Sequence, residues 1–172
     1  MLTALQNKMV ETFERHVGAE LQGDLETTMA TMSDRPHLNH VPTLAGGYGR
    51  DGVREFYQNH LVGRFFPPDV KMEGLSRTVG ESSIVEEIYI SFTHTSEIDW
   101  LLPGVAPTGR PVELVVAAVV GFQDGRVSHE HIYWDQASVL VQIGLLDPKG
   151  LPVGGVEVAR RVKDPSLPPR KY

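Results

Sequence analysis

The chain has 172 residues, a formal net charge of −6, 41% hydrophobic and 22% charged residues, and no cysteine. That length suits one domain able to bury roughly two-thirds of its unfolded surface. The acidic balance without a basic stripe argues against a nucleic-acid partner. The lack of cysteine excludes disulfides, thiolate metal ligands and a cysteine nucleophile.

At the N-terminus Leu5, Met9, Phe13, Val17 and Leu21 recur every four residues, an apolar stripe along a helix. Gly23 terminates it, and Asp24 is placed to cap a short second helix through Met32. Ser33-Asp34-Arg35-Pro36 breaks the pattern, and His37 to Tyr48 reads as a short strand and loop. A third helix is expected from Asp51, with Val53, Phe56, Tyr57, His60 and Leu61 on one face, ending at Phe65-Phe66-Pro67-Pro68.

Beyond it the periodicity becomes that of strands. Val70 and Met72 open one, Gly80-Glu81 turns the chain, and Ile84 to Thr95 forms a long second strand. Pro103 to Pro111 is a connection, and Val112 to Phe122, containing the longest apolar run (Leu114 to Phe122), is apolar on both faces, as in a doubly covered strand. The same run is too short to span a bilayer. Asp124-Gly125 then turns the chain into Arg126-Val127-Ser128-His129-Glu130-His131-Ile132-Tyr133-Trp134, after which Asp135 is placed to cap a helix carrying Val139, Leu140 and Ile143. Helices followed by hairpin-linked strands indicate an α+β fold. No apolar leader is visible at Met1 to Met9, so a cytoplasmic protein without membrane partners is expected.

Three segments carry a resemblance. They are Tyr48-Gly49-Arg50-Asp51-Gly52-Val53-Arg54-Glu55-Phe56-Tyr57; Thr93-His94-Thr95 with Pro107-Thr108-Gly109-Arg110-Pro111-Val112; and Asp124-Gly125-Arg126-Val127 through Tyr133-Trp134-Asp135. In this order, over residues roughly 10 to 145, the chain resembles the SnoaL-like polyketide-cyclase branch of the nuclear transport factor two-like superfamily. The resemblance implies a conical barrel, a cystatin-like roll, in which helices cover the concave face of a strongly curved antiparallel sheet. It also implies a small-molecule pocket inside the cone and a homodimer through the other sheet face. The expected domain is 1–147, followed by a Gly/Pro-rich extension, 148–172. In the epoxide-hydrolysing branch a strand aspartate stands three residues before the terminal one; here that position is Ile132. There is no Gly-x-Ser-x-Gly elbow for a serine nucleophile.

The candidate catalytic residues are His94, Glu130 and His131, since imidazole and carboxylate are the groups most easily tuned toward neutral pH. Candidate substrate-binding residues are His37, His40, Tyr48, Tyr57, Glu87 and Trp134. Alternation along the last strand sets His129, His131 and Tyr133 against Glu130, Ile132 and Trp134, and the sequence leaves open which set faces the pocket. Asp135 is weighed as an N-cap against a catalytic role. His37, His40, His129 and His131 with a carboxylate would supply ligands for zinc, iron or manganese, and the sequence leaves that alternative open. Their spacing matches no metal motif closely, however, so no metal and no other cofactor is expected. The functional expectation is cofactor-independent proton transfer on a small apolar carbonyl compound, by a cyclase, isomerase or dehydratase. The alternatives are an epoxide, ester or lactone hydrolase, or a non-catalytic ligand-binding or assembly module.

Overall fold

The computed structural model describes residues 1–169, so residues 170–172 of the expected extension lie outside the described residues. The N-terminal helix, α1 (Ala4–Gln22), opens with a capping box: Gln6 N donates to Thr3 Oγ1 at 3.2 Å and Thr3 N to Gln6 Oε1 at 2.9 Å. Gly23, at φ 70°, closes it in the left-handed conformation. The buried face runs through Met9, Phe13, His16 and Ala19. Leu5 and Leu21, the ends of the expected stripe, are exposed by 52% and 51%. A strict four-residue spacing drifts around a helix of 3.6 residues per turn, so only the middle of the stripe faces inward.

Asp24 accepts from Thr27 N at 3.0 Å and caps α2 (Leu25–Thr31), as the sequence indicates. Strand β1 (Met32–His40) follows without a break, and Pro36, expected to interrupt the chain, lies within it. The β1–β6 register shifts between Met32 and His37, so an irregularity takes up the residue that cannot donate to the ladder. After β2 (Ala45–Tyr48), α3 runs Gly49–Phe56 and widens into a π turn, Tyr57–Leu61. Asp51 lies in the first turn of α3 rather than at its cap.

Four further strands follow: β3 (Lys71–Val79), β4 (Ser83–Thr93), β5 (Pro111–Gln123) and β6 (Arg126–Tyr133). They form one six-stranded sheet in the order β2-β1-β6-β5-β4-β3. The expected pairing of the three long strands is found, β4 with β5 and β5 with β6, both antiparallel. The sheet as a whole is mixed, because β1 lies parallel to β6. No hairpin joins those two strands. β1 is entered directly from α2, and the chain crosses the whole domain before β6, so a tight turn does not dictate their relative direction.

The inner face of the sheet meets α1 and the π turn. The outer face of β5, apolar on both sides, is partly covered by α5 (Glu157–Lys163), which was not anticipated within the Gly/Pro-punctuated tail. Arg160 of α5 bonds both oxygens of Glu113, at 2.8 and 2.7 Å.

Two measurements follow from this packing. Asp135 caps α4 (Gln136–Gln142), accepting from Ser138 N at 3.0 Å. Asp135→Ala is expected to lower stability by about 1 kcal/mol in denaturant titration. His40 is buried among Trp100, Phe56 and Trp134, with ring centroids 4.9, 5.5 and 6.2 Å away. Burial pushes its pKa down to about 4, although Glu130 and the Ala45 carbonyl pull the other way. With the folded pKa below the unfolded one, the neutral ring contributes stability above pH 6.5 that is lost as pH falls toward 4, up to about 3 kcal/mol. Comparing wild type with His40→Gln, the stability gap is expected to narrow by that amount across the window; a gap constant with pH would contradict it.

Candidate active site

Alternation along β6 resolves which face carries the chemistry. Glu130 and Ile132 line a narrow cavity of about 80 Å³ between α1 and the sheet. Apart from Glu20 and His40 its remaining wall is apolar: Phe13 and Val17 from α1, Phe65, Phe66 and Trp100 from the loops, and strand residues such as Ile88, Ile90 and Val116. A larger hollow of about 500 Å³, lined by Lys8, Arg35, Asp124 and Arg126 among others, lies at the surface and holds no comparable acid–base cluster. Buried acid–base groups meeting an apolar cavity make the interior the candidate site.

At its deep end four side chains converge. Glu130 is 4% exposed, and its Oε2 lies 3.3 Å from His16 Nε2 and 2.9 Å from the Tyr57 hydroxyl. Tyr57 also makes a short hydrogen bond with Glu20 Oε1, which lies 3.6 Å from His16 Nε2. His16 and Glu20 are one turn apart on α1, where an i, i+4 pair shares a face. Tyr57 is the first residue of the π turn, whose Val62 N–H bonds the Tyr57 carbonyl at 2.9 Å. Such turns re-aim side chains and recur at functional sites.

Counting protons fixes the roles. Thr31 donates its hydroxyl proton to the Thr28 carbonyl at 2.6 Å, so at 2.6 Å from His16 Nδ1 it can only accept, and Nδ1 carries a proton. Tyr57 has one proton but is bonded to two carboxyl groups. Both bonds form only if one carboxyl is protonated and donates to the phenolic oxygen.

The electrostatics say which. Burial and the Glu130 charge raise the pKa of Glu20. Burial also works against the Glu130 carboxylate, but His16, by charge and hydrogen bond, and the Tyr57 hydroxyl more than offset it and hold the group ionised. Burial opposes the charged ring of His16, yet Glu130 and Glu20 lift its pKa well above the usual value. Burial, then the two carboxylates, hold Tyr57 in its phenol form. The cluster is thus an imidazolium, a carboxylate, a carboxylic acid and a phenol, with no net charge.

His16 Nε2 and one oxygen each of Glu20 and Glu130 lie within 4.8 Å of one another, a set that could ligate a divalent ion. In the arrangement described, two protons and the Tyr57 hydroxyl satisfy those atoms.

Of the residues singled out in the sequence, Glu130 and Tyr57 belong to this cluster, His40 lines the cavity and Trp134 packs against His40 and Trp100. The others lie elsewhere. His131 and His37 face the outer side of the sheet, bonded to each other, because a strand residue next to an inward Glu130 must point outward. Tyr48 is 76% exposed. Glu87 is on the outer face, accepting from Ser76 Oγ at 2.6 Å. His94 is fully buried beyond the end of β4, where Nδ1 meets Thr108 Oγ1 at 3.1 Å and ties down the 94–110 connection; it does not line the cavity. Sequence reasoning missed His16, Glu20 and Thr31. The available signal was the helical period: positions 9, 13, 16 and 20 share a face, so an apolar stripe beginning at Met9 carries His16 and Glu20 inward.

No protein-family model matches the chain, and no curated protein matches it. Solved structures do. IdmH from Streptomyces antibioticus, a candidate polyketide cyclase, is 25% identical, with a TM-score of 0.59, 79% of this chain and 98% of that chain covered. A SnoaL-like candidate polyketide cyclase from Jannaschia sp. CCS1 is 17% identical, with a TM-score of 0.65 and coverage of 86% and 99%. SalBIII, an epoxide hydrolase/cyclase-like enzyme with a role in pyran ring formation in the polyether salinomycin, is 15% identical, with a TM-score of 0.55 and coverage of 75% and 92%. Helices packed on a six-stranded mixed sheet and these neighbours together show that the chain has the nuclear transport factor two-like fold of the SnoaL-like structures.

Proposed function

We propose that the chain is a cofactor-independent enzyme of cyclase type that moves protons on a small, largely apolar carbonyl compound. The observation that carries this reading is the pairing, in one closed cluster, of a carboxylate held ionised with a carboxylic acid held protonated, beside an apolar cavity. Two titratable groups whose environments push their pKa values apart divide acid and base roles between them. The solved neighbours support it, being candidate cyclases and an epoxide hydrolase/cyclase-like enzyme.

In this reading Glu130 is the base. Its contacts with His16 and Tyr57 both use Oε2, so Oε1 is the oxygen presented to a substrate. It takes a proton from the carbon next to the substrate carbonyl, and the electron pair of that C–H bond becomes the enolate. Glu20, protonated and lining the cavity, turns its acid proton from the Tyr57 oxygen to the enolate oxygen. The enol carbon then attacks a second carbonyl carbon of the same molecule, whose C=O π pair moves to its oxygen and takes the proton held by Glu130, while the enol O–H proton returns to Glu20. In an isomerisation Glu130 instead returns its proton to another carbon and Glu20 recovers the enol proton. Tyr57 and His16 hold the two carboxyl groups in place. His94 and His131, expected to be catalytic, have no part in this assignment.

Hydrolysis of an epoxide is the second reading, favoured by the likeness to SalBIII. Glu130 would then take a proton from water, and Glu20 would protonate the opening epoxide oxygen.

The test is a screen of diketones, epoxides and lactones, followed by variants assayed on the best substrate. Glu130→Gln is expected to lose about 10²- to 10⁴-fold in turnover while keeping its circular dichroism spectrum. Glu20→Gln is expected to lose turnover in the same direction, and Glu87→Gln, on the outer face, to keep it. A Glu130→Gln variant at wild-type rate would overturn the assignment of Glu130 as the base; binding without turnover of any compound in the screen would overturn the enzyme reading in favour of a ligand-binding module.

A further inference from the structure

The alternation that sends Glu130 inward sends His129 and His131 outward, onto the sheet face away from the cavity. β1 lies parallel alongside, with His37 opposite His129 and Asn39 opposite His131. Three imidazoles therefore meet on two neighbouring strands. Their ring centroids form a nearly equilateral triangle: 5.1 Å for His37–His129, 5.0 Å for His37–His131 and 4.8 Å for His129–His131. His37 Nε2 lies 2.9 Å from His131 Nε2.

The His37–His131 nitrogen spacing suits one ion, and the third ring stands close enough to reach it after a turn. Imidazole nitrogens bind zinc at about 2.0–2.1 Å, which places neighbouring ligand nitrogens roughly 2.9 Å apart at a right angle and roughly 3.3 Å apart at the tetrahedral angle. The corresponding ring centroids then stand roughly 4.5 to 5.2 Å apart, the range the three rings occupy.

Gly121 of β5, opposite His129, makes room for the third ring. A Cβ at position 121 would lie 2.1 Å from His129 Cε1 and 2.5 Å from its Nδ1, so a larger residue would collide with the ring. In this arrangement the nitrogen-bearing edge of His129 lies over Gly121, and a turn of the ring is needed to bring a nitrogen to the pair. Burial, and then the neighbouring histidines, lower the pKa of His37 and His129, so both are neutral ligands near pH 7. Tyr48 stacks beside His37, with centroids 6.5 Å apart.

We propose that His37 and His131, joined by His129 after it turns, form an outward-facing site for a borderline divalent transition ion such as Zn²⁺, with water completing the coordination. The site is separate from the interior cluster and lies on the opposite face of the sheet. A bound ion would clip β1 to β6, which no hairpin joins.

The experiment is equilibrium dialysis of the metal-stripped full chain against Zn²⁺, with Co²⁺ absorption as the coordination readout and thermal melts alongside. One equivalent per chain is expected, with a cobalt spectrum of nitrogen ligation and a higher Tm with Zn²⁺. His37→Ala and His131→Ala are each expected to weaken binding at least tenfold and to remove the Tm shift. His131→Gln, closer in size, separates ligand loss from misfolding and should behave alike. His60→Ala, a half-exposed histidine elsewhere, and Glu20→Gln, in the interior cluster, should bind as wild type. Sub-stoichiometric binding, binding unaffected by the His37 and His131 changes, or binding abolished by Glu20→Gln would each overturn the proposal. Unchanged binding in His129→Ala would overturn the part given to that residue. Turnover of the interior site is not the readout, so this proposal and the enzymatic one fail independently.

Discussion

A carboxylate placed inside a sheet-and-helix core must be compensated, since an unpaired buried charge costs several kcal/mol even after relaxation. Glu130 meets this requirement through His16 on α1 and Tyr57 at the start of the π turn. The compensation ties the first helix, the third helix and the last strand to one point. α1 must turn the His16 and Glu20 edge toward the sheet, which leaves Leu5 and Leu21 at the surface. Thr31, at the end of α2, must present an acceptor to His16, and it does so because its own proton is committed to the Thr28 carbonyl. Removing either partner of such a pair typically costs about 3–5 kcal/mol, so the cluster that would perform the chemistry is also a constraint on the fold.

The cavity beside the cluster is lined almost wholly by apolar side chains and aromatic rings. A low-polarity wall has two consequences. It strengthens the attraction between the His16 imidazolium and the Glu130 carboxylate, and it keeps Glu20 protonated by denying water to its charged form. The division into acid and base thus comes from one environment acting on two carboxyl groups. The one next to the imidazolium ionises, and the other, already facing that negative charge, does not.

Much of this was legible in the sequence, and what was not has identifiable causes. The three long strands were visible because alternation and the Asp124-Gly125 turn are local signals. The fold followed from the order of elements and the three resembling segments. Glu130 and Tyr57 were legible as chemistry-bearing residues, but period-two alternation gives two faces without saying which is inside, so His131 and His37 were placed in the pocket and lie on the other side. His16 and Glu20 were lost by following apolar residues at strict four-residue spacing, which leaves the inward face of a helix after a few turns. The passage of β1 through Pro36 and its parallel pairing with β6 depend on long-range contacts that no local pattern carries.

The claim at the centre of this account is the charge state of the buried cluster. Long-range ¹H–¹⁵N spectra of the histidine side chains report it directly, because both nitrogens of an imidazolium are protonated, whereas a neutral ring has one protonated and one bare nitrogen. The account predicts that His16 remains doubly protonated at pH 8, where an ordinary histidine is neutral. A His16 that titrates near the unperturbed value of about 6.5 would contradict it.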